Sequence, residues 1–158
     1  MVGIVTGNIN SGKTTRMKAL YERYGGDGFV MEKTMDGQWV RSYHALRLST
    51  GEMRLLVLRE GYDDPAFTEA TRIGPYRFDA DTLEWIRSTM HGLIEANVNP
   101  LYLDEVGKLE LRGEGFDAIL RELADKALPL YISVREDLIR NVIKRYGFKN
   151  VTVQGLRE

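Results

Sequence analysis

Cysteine is absent from this 158-residue chain, which excludes disulfides, thiolate catalysis and Cys-ligated metals but says little about compartment. Histidine is scarce. His44 and His91 stand far apart, which argues against a His-rich zinc site. No apolar run approaches membrane-spanning length, and the N-terminal apolar segment gives way to a glycine-containing loop too soon for a signal peptide. The expectations are a cytoplasmic location and no membrane partner. Charge of one sign is lacking too: 22 basic and 23 acidic residues leave a formal charge of -1. No global positive field draws the molecule to nucleic acid, and that partner class is not indicated. There is no repeat, low-complexity tract or linker. With 43% apolar residues the chain can build one good core and is too short for two, so a single domain over residues 1–158 is expected.

What is present starts at residues 7–14, Gly-Asn-Ile-Asn-Ser-Gly-Lys-Thr, which fits G-x-x-x-x-G-K-[ST] at every constrained position. Between a strand and a helix, such a loop turns backbone N–H groups inward around a di- or triphosphate. Gly7, Asn8, Ile9, Asn10, Ser11 and Gly12 would form the cradle, and Lys13 would bring charge to the outer phosphates. The Thr14 hydroxyl would be a ligand for the accompanying Mg²⁺, with Thr15 a lesser helper. The context fits. Residues 1–6 read as a buried strand and 13–24 as a helix with Met17, Leu20, Tyr21 and Tyr24 on one face.

Residues 29–35, 43–48 and 53–59 read as strands separated by Asp36-Gly37 and Thr50-Gly51, a pattern that favours an antiparallel meander. Residues 61–76, with two Pro, two Gly and Asp63-Asp64, read as a long loop, either a flap near the substrate or a solvent-exposed tether. A helix is expected from Asp81 to about Asn97, capped by Asp81 and Glu84, with Leu83, Ile86, Met90 and Ile94 as its core stripe. Residues 101–103 and 130–134 follow as strands, 114–127 and 137–146 as helices, and 151–153 as a last strand. Phe116, Ile119, Leu120 and Leu123 form the apolar side of the first of these helices. This alternation implies an α/β sandwich with a largely parallel sheet.

The second constellation is Leu101-Tyr102-Leu103-Asp104-Glu105, an apolar strand that delivers two carboxylates to its C-terminal end, where open parallel sheets bind ligands. Asp104 would sit beside Thr14 and hold Mg²⁺ through a water, as the aspartate of a Walker B strand does. Glu105, facing differently, would polarise a water for attack on the terminal phosphoryl group.

Four segments together resemble the small P-loop nucleoside-triphosphatases. They are residues 7–15, Gly28-Phe29 to Glu32, Ile73-Gly74-Pro75-Tyr76-Arg77-Phe78-Asp79, and Leu103-Asp104-Glu105-Val106-Gly107-Lys108-Leu109-Glu110-Leu111 followed by Phe116. The resemblance covers nearly the whole chain. It implies a P-loop NTPase three-layer α/β sandwich with an added antiparallel meander, and slow Mg²⁺-dependent hydrolysis of ATP, GTP and other nucleoside triphosphates with limited base selectivity. Lys108 matches the family and is a candidate for approaching the phosphates or pairing with Glu110. Two features depart from the pattern: Gly74-Pro75-Tyr76 stands where a Gly-Lys-Tyr type sequence is usual, and no Asn-Arg segment follows Val151. Arg72, Arg77, Arg112, Arg135, Arg140 and Arg145 are candidates for stabilising transition-state charge, and the sequence does not choose among them.

Two other functional classes fit the same loop. A nucleoside or nucleotide kinase would use residues 61–76 as a lid, although the cysteine-ligated zinc lasso of the thymidine kinases cannot be made here. A nucleotide-sensing switch would turn over slowly and report its bound state to a protein partner that the sequence does not identify. No Asn-Lys-x-Asp or Thr-Lys-x-Asp segment supports guanine selectivity of the common GTPase kind.

Overall fold

Strand alternation sorts the apolar side chains onto two faces of one sheet, and that sorting decides where the site lies. A computed structural model describes residues 1–8 and 11–155; Ile9 and Asn10, assigned above to the phosphate cradle, lie outside the described residues. The strands are β1 (Val2–Gly7), β2 (Asp27–Asp36), β3 (Trp39–Arg47), β4 (Met53–Arg59), β5 (Glu69–Ile73), β6 (Tyr76–Asp79), β7 (Leu101–Val106), β8 (Leu130–Arg135) and β9 (Val151–Gly155). The helices are α1 (Lys13–Tyr24), α2 (Ala80–Glu95), α3 (Lys108–Leu111), α4 (Asp117–Asp125) and α5 (Ile139–Tyr146), the last preceded by a 3₁₀ turn at Glu136–Leu138.

The strands described make one sheet in the order β5-β6-β4-β3-β2-β7-β8-β1-β9. From β2 to β9 the neighbours are parallel, as short apolar strands linked by helices require. From β2 outward through β3, β4, β6 and β5 they are antiparallel. The expected meander is therefore continuous with the main sheet, because β2 pairs with β7 through Asp27–Phe29 and then runs on along β3.

Val5, Val30, Tyr102 and Tyr131 point to one face, where Met17 and Leu20 of α1 cover them. Their strand neighbours Ile4, Phe29, Leu101, Leu103, Leu130 and Ile132 point the other way, under α2, α4 and α5. Helices on both faces give the three-layer sandwich. The predicted stripes Leu83, Ile86, Met90 and Ile94 of α2 and Phe116, Ile119, Leu120 and Leu123 around α4 are all buried.

Three expectations need correction. Residues 61–76 are not loop throughout: β5 and β6 form a hairpin in which Ile73 pairs with Tyr76 around the two-residue turn Gly74-Pro75. Gly74 has φ 54°, a left-handed value that suits glycine at the first central position of such a turn. The Pro and Gly residues that suggested a loop are thus the punctuation of a short edge hairpin. Second, α2 is capped by Asp79, not Asp81: the Asp79 carboxylate accepts from Thr82 N at 2.9 Å and also from Thr68 N at 2.8 Å, tying the helix to the strand pair before it. Third, the helix expected over 114–127 is shorter at Asp117–Asp125, and a separate turn of helix, α3, precedes it. Arg112, after α3, lies over the outer strand, donating from Nη2 to Thr71 Oγ1 and to the Arg72 carbonyl, each at 2.8 Å.

Two carboxylates hold the α3–α5 layer. Asp117 accepts from Arg145 Nε and Tyr146 Oη, each at 2.8 Å, and from Arg121 Nε at 3.1 Å. The Arg145 contact above all lowers its carboxyl to about 2. Glu110 is buried and accepts from Gly107 N at 2.8 Å and Phe116 N at 3.2 Å, closing the loop around α3. Burial outweighs those two N–H groups and pushes its carboxyl up to about 7.

These groups act in opposite senses. Asp117, depressed on folding, contributes stability that is lost as pH falls from about 4 through about 2. Glu110 holds a proton in the folded state above pH 4.5 that the unfolded chain releases, so stability falls as pH rises from 4.5 through about 7. Urea unfolding between pH 5 and 8 is expected to show this decline, with a shallower slope in Glu110→Gln. Asp79→Ala is expected to cost about 1 kcal/mol, read in a thermal melt as a fall in Tm of roughly 2–4 °C.

Candidate active site

The parity of β7 places the central carboxylate. Tyr102 faces α1, so Asp104, two residues on, faces the start of the same helix. There Thr14 Oγ1 donates to Asp104 Oδ2 at 2.7 Å. Asp104 is fully buried and its remaining acceptor positions are filled: Met31 N donates to Oδ2 at 2.9 Å, Glu105 N to Oδ1 at 3.1 Å, and the Ser133 hydroxyl also to Oδ1. The helix start, β2, β7 and β8 therefore meet on one carboxylate. Its donor set suits a hard divalent cation. The Thr14 hydroxyl and, through a water, the Asp104 carboxylate would hold Mg²⁺, which would supply positive charge to phosphate oxygens.

The phosphate loop is set up in the same way. Gly12 at φ 90° turns the chain into α1, whose first backbone N–H groups have no partner within the helix and so face the cleft. Lys13 is buried, its Nζ donating to the carbonyls of Asn8 at 2.8 Å and Gly7 at 3.3 Å. Those carbonyls hold the ammonium at the lip of the loop. The Ser11 hydroxyl is a buried oxygen with no hydrogen-bond partner among the described residues, as expected of a group oriented toward a ligand. Ser11, Gly12, Lys13, Thr14 and Thr15 line a cleft of about 460 Å³ whose other wall is Met31, Glu32 and Lys33 of β2, Tyr43 of β3, and Glu105.

A family model described as NTPase matches residues 3–157. The chain belongs to this NTPase family. No curated protein matches it. Among solved structures, the NTPase is similar to THEP1 from the hyperthermophile Aquifex aeolicus, with 20% identity over 99% of this chain and 90% of that one and a TM-score of 0.73. It is also similar to a human cancer-related nucleoside triphosphatase, with 20% identity over 98% of this chain and 88% of that one and a TM-score of 0.63. These likenesses show the shared mixed α/β fold. Family membership supports hydrolysis of nucleoside triphosphates as the general activity.

Glu105 departs from its strand. Its φ of 60° is left-handed for a residue with a side chain, and the β7–β8 register breaks between Leu103 and Val106. Ser133 Oγ takes the N–H that the ladder releases, at 2.8 Å, while donating its own proton to Asp104. The carboxylate is thereby turned out of the sheet into the cleft mouth. Solvent reaches it there, yet protein crowds it: burial first, then the charge of Asp104, pushes its carboxyl up to about 7 against the pull of Lys13, Lys33 and Arg135. Tyr43 is pushed above the ordinary phenol range, by burial and then by Glu105, so it faces the cleft as a neutral hydroxyl.

Lys108 does not line the phosphate cleft. It begins α3 and lines a second cavity on the far side of Glu105, while Glu110 is engaged with Gly107 and Phe116. Of the arginine candidates, Arg72 pairs with Glu60 and Glu69, Arg112 with Glu114, and Arg145 with Asp117. Arg77 donates to the Tyr62 carbonyl at 2.5 Å. Arg135 stands beside Gly7 in the sheet, pairs with Asp137, and faces the second cavity. Sequence reasoning missed Ser133, Met31 and Tyr43. Ser133 alone left a signal, as the single serine in the mostly apolar run Leu130–Arg135.

A left-handed non-glycine residue costs about 1–3 kcal/mol, so Glu105→Gly is expected to raise Tm by roughly 2–4 °C or more in a calorimetric scan while removing the carboxylate. A Tm equal to or below that of the parent would show that the turn at Glu105 stores no strain.

Proposed function

We propose that this NTPase, working as one cytoplasmic domain, hydrolyses ATP, GTP and other nucleoside triphosphates to the diphosphate and phosphate with Mg²⁺. The 2.7 Å contact between Thr14 Oγ1 and Asp104 Oδ2 carries the reading, because it brings a loop hydroxyl and a strand carboxylate to the spacing at which they can share one cation. Bound there, Mg²⁺ would offset charge on the phosphate oxygens. The N–H groups at the start of α1 would hold the phosphates. Lys13 would exchange the Asn8 and Gly7 carbonyls for the outer phosphate oxygens. Glu105 would orient a water toward the terminal phosphorus and accept its proton. No helix among the described residues is long and apolar enough to cross a membrane.

Phosphate release from a panel of nucleoside triphosphates, with and without Mg²⁺, tests this directly: release is expected from several bases and is expected to vanish in chelator. Glu105→Gln should lower kcat by about 10²–10⁴-fold and leave nucleotide affinity within a few-fold of the parent. Lys13→Ala should weaken both binding and turnover, because the lysine also interacts with the ground state. Hydrolysis by Glu105→Gln at the parent rate would remove Glu105 from the reaction.

A further inference from the structure

Hydrolysis needs space for one water beside the terminal phosphate, and a water occupies about 30 Å³. On the far side of Glu105 the structure has a cavity of about 360 Å³. Met31, Tyr43 and Glu105 line both this cavity and the phosphate cleft, so the two meet where a terminal phosphoryl group would emerge. The deeper walls are apolar and aromatic: Leu56 and Val57 from β4, Ile73, Tyr76 and Phe78 from the outer hairpin, and Phe116. Tyr43 and Tyr76 meet edge to face with centroids 6.4 Å apart. The cavity's charged lining is Asp104, Glu105 and Glu110 with Lys108 and Arg135, of which Glu105 also borders the phosphate cleft. An apolar and aromatic body with a few polar groups, at that size, is that of a small-molecule site.

We propose that this cavity binds a neutral aromatic alcohol and that its hydroxyl accepts the γ-phosphoryl group. The inference rests on the nucleotide-site reading above and names a second substrate for it. The aromatic walls select a flat ring, and the Glu105 carboxylate, which borders both spaces, selects a hydroxyl. An anionic acceptor is disfavoured, since the carboxyl groups of Asp104, Glu105 and Glu110 line the cavity against the two cations Lys108 and Arg135, and Arg135 is paired with Asp137. In the transfer, the acceptor oxygen forms a bond to the γ-phosphorus. The bond from that phosphorus to the β,γ-bridging oxygen breaks, and its electron pair leaves on the nucleoside diphosphate. The hydroxyl proton passes to the Glu105 carboxylate and on to solvent. Without an alcohol, water takes the same place and the outcome is hydrolysis.

The test incubates the full chain with Mg²⁺ and γ-labelled ATP, alone or with benzyl alcohol, 3-pyridylmethanol or 2-naphthylmethanol, and separates labelled inorganic phosphate from labelled phosphate ester. Ester is expected with at least one alcohol, and its yield is expected to fall at least tenfold in Ile73→Trp, which fills the cavity. Leu138 also lines the cavity, and Leu138→Trp provides the same block should the first variant fail to fold by circular dichroism. Label found only in inorganic phosphate with every alcohol, or ester yield unchanged in both folded variants, overturns the acceptor site and leaves the hydrolase reading intact. Absence of any label release from ATP in every tube, with or without alcohol, would instead overturn the nucleotide-site reading itself.

Discussion

The buried carboxylate of Asp104 is the constraint on which the site depends. A fully buried carboxylate is costly unless its oxygens are satisfied, and here each satisfying donor comes from a different element: the Thr14 hydroxyl of α1, Met31 N of β2, Ser133 of β8, and the neighbouring N–H of β7 itself. Desolvation therefore works as a locating force. Moving any of these strands or the helix start would strand a charge in the interior, so the groups that converge on this carboxylate are also those that set the sheet register around it.

The same economy of position explains Glu105. A regular strand would send it to the face opposite Asp104, among Leu103 and Val106 and under the helices of the other layer. The left-handed turn at Glu105 and the Ser133 hydroxyl that accepts its displaced N–H instead turn this carboxylate into the cleft beside the phosphate loop. The cleft's other wall comes from the meander. Because β2 is both the last parallel strand and the first antiparallel one, Lys33 and Tyr43 are carried past the end of the parallel strands to face the phosphate loop.

Much of this was legible in the order of residues. The loop at 7–14 and the strand ending in Asp104 declared themselves because phosphate binding and a buried parallel strand each restrict residue type at several consecutive positions. The helix stripes were readable for the same reason. What escaped depended on single long-range contacts. Asp79 as the cap of α2 was hidden by Asp81, an equally good capping residue two positions on. The β5–β6 hairpin was hidden because Glu69–Ile73 is half exposed and lacks an apolar run. Ser133, Met31 N and the second cavity exist only through strand pairing across a large sequence separation, which no local pattern records. The Lys108 position was legible as a motif match, but not its direction.

The outermost strand of the hairpin raises a separate issue, that of self-association. An unpaired strand offers free carbonyl and N–H groups to any neighbouring chain, and β5 ends the sheet. The guanidinium of Arg112 already sits on the Arg72 carbonyl, and the Arg72 side chain is itself held by Glu60 and Glu69. A second molecule seeking to extend the sheet from this side would have to displace an arginine and bring its own backbone up against clustered charges. This border of the sheet is thus made unwelcoming to further strands, and extension from the β5 side is disfavoured.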